Sequence, residues 1–134
     1  MPITSHTDPS KELTIFTASG EITLLEIMAV VKSFNTNPPA INILWDFSEA
    51  VAVDKFTSED LQKTASLAKG KLSVRPGGGG KTAFVATADF IFGLVRMYTA
   101  YLVLVEVAHK VHVFRTMAEA YQWLHEDQPT DPTQ

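Results

Sequence analysis

Apolar and polar positions along this chain switch between a period of two and a period near 3.6, and the switches mark its elements. Leu13 to Ala18 (LTIFTA) is a β-branched and aromatic run closed by Gly20, the composition of a strand. Thr23 and Glu26 have capping-box spacing, in which each side chain accepts from the other's backbone N–H. Leu24, Ile27, Met28, Val31 and Phe34 then recur on one helical face. Asn37-Pro38-Pro39 stops that helix, because proline donates nothing to a ladder and restricts its predecessor. Ile41 to Phe47 (INILWDF) is nearly continuous in apolar residues, as in a strand covered on both faces, with Asp46 at its end. Ser48 to Phe56 reads as a loop, and Thr57 or Ser58 caps a helix through Ala68 whose inner stripe is Leu61, Ala65 and Ala68. Thr82 to Thr87 (TAFVAT) is the third strand, a long helix starts near Asp89, and Val111 to Arg115 is the fourth strand. Thr116 and Glu119 repeat the capping spacing before a last helix carrying Ala118, Tyr121, Trp123 and Leu124.

Four strand–helix alternations predict a single α/β domain, a mostly parallel four- to five-stranded sheet with right-handed crossovers and helices on both faces. Counting Leu13–Ala18 as the first strand, the expected order is 2-1-3-4, with an antiparallel N-terminal edge to which Ile3 contributes weakly. Residues 1–10 and 126–134, polar and proline-bearing, are expected to be flexible tails.

The long helix changes the picture. From Phe90 to Val105 apolar side chains cover nearly its whole circumference, interrupted by the charge of Arg96. One face of such a helix covers a sheet and the remainder needs another cover. At 1.5 Å per residue the helix from Ala88 to Val105 is roughly 27 Å long, enough for a subunit contact. Symmetric pairs are the commonest assembly, so a homodimer is the leading expectation. Neighbouring helices, a different protein partner or a small apolar ligand are the alternatives. Arg96 is expected to meet a carboxylate or carbonyl, with Asp46 and the backbone of a partner as the suggestions.

The 134 residues suit one domain with a real core. A net charge of -4 argues against nucleic-acid binding, which needs a basic face. With no cysteine, disulfides and thiolate metal sites are excluded. The N-terminal residues lack a basic start followed by an apolar run, so no signal peptide is expected. Asp89, Gly93 and Arg96 interrupt the greasiest stretch, so no membrane span is expected and the cytoplasm is the default.

Several motifs imitate function. Gly80-Lys81-Thr82 copies the end of a phosphate-binding loop, but Arg75 stands where its first glycine belongs, and the motif opens a strand instead of a helix. Lys63, Lys69, Lys71, Arg75 and Lys81 make this the basic end, read as a solvated face ahead of a weak anion or headgroup site. His109 and His112 flank a strand start, where odd spacing sends them to opposite faces, so no metal site is expected. His125 suits a helix C-terminus. Glu59/Asp60 and Glu126/Asp127 diverge around helices. No catalytic constellation and no cofactor are read here.

Phe92-Gly93-Leu94-Val95-Arg96-Met97-Tyr98, Val113-Phe114-Arg115 and Ala118-Glu119-Ala120-Tyr121-Gln122-Trp123-Leu124 resemble the SpoIIAA-like family, as do Leu44-Trp45-Asp46-Phe47 and Gly20. That family is related to the STAS domains of anti-sigma-factor antagonists and is compared with the Sec14 lipid-binding fold. The resemblance implies a small α/β binding or regulatory domain with no established enzyme activity. The antagonists carry a phosphorylatable serine in an Asp-Ser-Ser-Gly stretch at the second helix. Here the comparable place reads Asp54-Lys55-Phe56-Thr57-Ser58-Glu59-Asp60, so Ser58 is the candidate phosphoacceptor, while Glu59 and Asp60 would crowd a phosphate. Candidate ligand or partner residues are Asp46, Thr57, Ser58, Phe92, Arg96, Tyr98 and Tyr101. The expected function is non-catalytic regulation through protein–protein contact as a homodimer; the alternative is a carrier or sensor of an apolar or lipid-like ligand.

Overall fold

Runs of Ile, Leu, Val, Phe and Trp pair side by side in chain order. The computed structural model describes residues 3–52, 56–72 and 80–126. Among these, β1 (Ile3–Asp8), β2 (Leu13–Ile22), β3 (Asn42–Ala52), β4 (Lys81–Val85) and β5 (Lys110–Phe114) form one sheet in the order β1-β2-β3-β4-β5. β1 is antiparallel to β2, and β2 to β5 are mutually parallel. The helices are α1 (Leu24–Lys32), α2 (Ser58–Ala68), α3 (Asp89–Leu104) and α4 (Met117–His125).

The expected order 2-1-3-4 is corrected by this topology, although its antiparallel N-terminal edge is present. Every parallel crossover advances in the same direction, so α1, α2 and α3 share one face. Their core includes Phe16, Ile22, Trp45, Phe47, Phe84, Ile91, Val95 and Leu102. The chain turns back only after β5, and α4 packs Ala120 and Leu124 on the other face, against Leu13, Leu44, Ala83 and Val85. This progression has no reversal, and therefore no topological switch point, the feature that opens a ligand crevice in doubly wound sheets.

Two boundaries also differ. Residues 3–8, expected within a flexible tail, are a paired edge strand, and a short 3-10 turn at Pro9–Lys11 leads into β2. Asp8 caps that turn, and the Ser10 hydroxyl bonded to its carboxylate holds its pKa below the usual value. β3 runs through the expected loop to Ala52, pairing Glu49–Ala52 with Ser19–Ile22. Residues 53–55, most of the glycine run, and 127–134 lie outside the described residues.

Candidate functional site

The carboxyl ends of the strands carry most of the polar candidates. Thr17 pairs with Asp46, but Ser19 pairs with Glu49, so β3 bulges by one residue at Phe47 and Ser48. Asp46 serves that bulge: its Oδ1 accepts the Ser48 N–H at 2.9 Å. Thr87 Oγ1 donates to the Ser48 carbonyl at 3.1 Å, tying the end of β4 to the same kink. The expected Asp46–Arg96 contact is absent among the described residues, and Arg96 lies on the exposed side of α3. The reason is rotational: Arg96 follows Val95, which faces the sheet, and so points away from it.

Thr57, and not Ser58, caps α2. Its Oγ1 accepts the Asp60 N–H at 3.1 Å, and Asp60 Oδ2 accepts the Thr57 N–H at 3.4 Å, the reciprocal pair of a capping box. Ser58 is left exposed at the first helical position, beside Glu59 and Asp60.

Arg115 is a latch that sequence reading did not assign. From the end of β5 its guanidinium donates to the Thr87 carbonyl at 3.0 Å and to Asp89 Oδ1 at 2.8 Å, and lies 3.9 Å from the Phe92 ring centroid. The latch fastens the start of α3 to the sheet and covers Phe92.

The other α3 candidates turn inward. Tyr98 meets Phe84 edge to face, centroids 5.9 Å apart, and burial pushes its phenol pKa up. Tyr101 packs on the main core. The bare side chains are different ones: Phe90 is 63% exposed, Met97 42%, Val103 64% and Leu104 73%. The spacing of Phe90, Met97 and Leu104, one every seven residues, is the signal that marks this face in the sequence.

Beneath the three helices lies an apolar cavity of about 70 Å³, lined by residues including Trp45, Phe47, Leu61, Phe84, Val95 and Tyr98. Pockets for drug-sized ligands run to roughly 300–1,000 Å³.

The decoys resolve by geometry. Lys81 is buried in the fold, its ammonium over the Trp123 ring at 4.9 Å and donating to the Trp123 carbonyl, so it leaves the solvated basic face read from the sequence. Lys63 pairs with Glu59 within α2. His109 is buried with Nδ1 2.8 Å from Thr82 Oγ1, whereas exposed His112 packs on Phe114 on the opposite face. Among the described residues no cluster of three or more metal-ligating side chains occurs, and no helix is long and apolar enough to cross a membrane.

This architecture is a SpoIIAA-like α/β fold. The chain is similar to an uncharacterised protein of the DUF3478 family with a SpoIIAA-like fold from Shewanella loihica PV-4, at TM-score 0.55 and 16% identity, over 91% of each chain. It is also similar to the anti-sigma factor antagonist SpoIIAA in its unphosphorylated form, at TM-score 0.52 and 11% identity, over 92% of this chain and 97% of that one. The Bacillus cell fate determinant SpoIIAA in the phosphorylated form matches at TM-score 0.50 and 12% identity, over 91% and 98%. No family model and no curated protein sequence matches the chain.

Proposed function

We propose that this chain is a non-catalytic regulatory binding domain that acts in the cytoplasm through protein–protein contact, as a homodimer formed on the outward face of α3. One observation carries the reading: Phe90, Met97, Val103 and Leu104 all stand in water on one 16-residue helix. Scattered apolar surface residues are ordinary, but four on a single element are a contact surface in search of a cover. Latched Phe92 and inward Tyr98 and Tyr101 support that helix from behind. The strand-end edge with Asp46, Thr57 and Ser58 is proposed as a second place for a partner. Ser58, with its exposed hydroxyl, is the candidate phosphoacceptor there, and its acidic neighbours weigh against that role.

The carrier of an apolar ligand stands second because of the cavity under the helices. At about 70 Å³ it has less than half the space of an engineered cavity of 150 Å³ that binds benzene. Sedimentation equilibrium tests the leading reading. A dimer at high micromolar concentration supports it, and a monomer there removes it.

A further inference from the structure

Resting on that reading of α3, we infer how the two copies meet: α3 packs antiparallel on α3 of a second copy. Met97 and Leu104 of each chain then seat in notches left by Ala100 and Gly93 of the other.

The first observation is a glycine with no reason to be one inside its own chain. Gly93 sits well inside α3, is exposed, and a Cβ built on it meets nothing within 4 Å. Glycine is the least favourable residue of a helix interior after proline, and here neither an unusual backbone angle nor an intrachain approach asks for it. Close approach of another backbone is what a helical glycine permits.

The second observation is the stripe in which Gly93 stands. Phe90, Gly93, Met97, Ala100 and Leu104 follow one another at spacings of three and four, a single stripe down the outward face. The three large members are the bare ones, and small residues alternate with them. A two-fold axis between Tyr98 and Thr99 sets Met97 opposite Ala100 and Leu104 opposite Gly93, large against small both times. A parallel pair would instead set Gly93 on Gly93 and Met97 on Met97. The stripe is complementary to itself, which points to a second copy rather than an unrelated partner. Antiparallel packing also directs the two strand-end edges in opposite directions, leaving Thr57 and Ser58 of both copies clear of the contact.

The chain has no cysteine, so one introduced thiol reports one position. In this register the two copies of residue 100 flank the axis, while the two copies of residue 90 are roughly 25 Å apart. Under mild oxidation Ala100→Cys is expected to form a disulfide-linked dimer and Phe90→Cys to remain unlinked. Gly93→Leu is expected to weaken association at least a hundredfold by sedimentation, with helical circular dichroism kept and a melting temperature at high dilution no lower than the parent's. Linkage of both thiols, linkage of neither in a dimeric protein, or a Gly93→Leu variant that still dimerises as the parent does overturns this packing while leaving the homodimer standing. A monomeric parent overturns both.

Discussion

Replacing Phe90, Met97 and Leu104 together with glutamine separates a covered α3 from a bare one. Full burial of each such side chain is worth about 1.5–3 kcal/mol. At exposures of 63%, 42% and 73%, what remains to be covered amounts to roughly 3–5 kcal/mol per copy, or about 5–11 kcal/mol for a pair. Association costs an estimated 4–15 kcal/mol in lost freedom, so this apolar surface decides whether the dimer exists. Losing about 4 kcal/mol alone raises the dissociation constant nearly a thousandfold. The triple variant is therefore expected to sediment as a monomer at concentrations where the parent is paired. Its thermal unfolding at high dilution is expected to match that of the parent, because none of the three is buried in its own chain. Unchanged sedimentation would refute the reasoning, and so would a melting temperature lowered by many degrees at high dilution, since that places these side chains inside the monomer.

Three further outcomes follow from the fold. Gly80→Ala is expected to destabilise by several kcal/mol in a denaturant titration, because φ is +138° and the new Cβ would stand 2.6 Å from the buried His109 Nε2, itself held by Thr82. Thr57→Ala removes the cap of α2 and is expected to cost about 1 kcal/mol by the same measurement, with Ser58→Ala near neutral. Tyr98 has its phenol pKa raised by burial, so its contribution is complete below the unfolded value near 10 and is lost as pH rises beyond it. Tyr98→Phe is expected to flatten the alkaline limb of a stability–pH curve while leaving stability at neutral pH almost unchanged, and an unaltered limb would assign that loss to other groups.

The elements were legible because their caps and periods are local. Thr23 with Glu26 forms the expected capping box, and Leu61, Ala65 and Ala68 are the buried stripe of α2. Strand order was not legible, since no residue in β2 or β3 states which neighbour lies on which side; only the full set of crossovers decides it. β3 looked finished at Phe47 because Ser48 and Glu49 are polar, but Ser48 belongs to a bulge that Asp46 and Thr87 satisfy, and pairing resumes at Glu49. The candidate site suffered from a rotation. Aromatic rings drew attention to Phe92, Tyr98 and Tyr101, yet the first lies under Arg115 and the other two pack on the core. The seven-residue spacing of Phe90, Met97 and Leu104 was present in the sequence, masked by a helix apolar on every side. Lys81 was misplaced for a related reason: its strand position aims it at Trp123, a partner 42 residues away that no local pattern announces.

The central claim is that a second body shields the outward face of α3, and Met97 reports on it directly. Methyl NMR of methionine-labelled protein with a soluble paramagnetic relaxation agent compares Met97 with Met28 and Met117. If the account holds, the Met97 methyl is protected at high micromolar concentration and becomes accessible on dilution, while the other two keep their accessibility throughout. A Met97 methyl that is as accessible at high concentration as at low would contradict it.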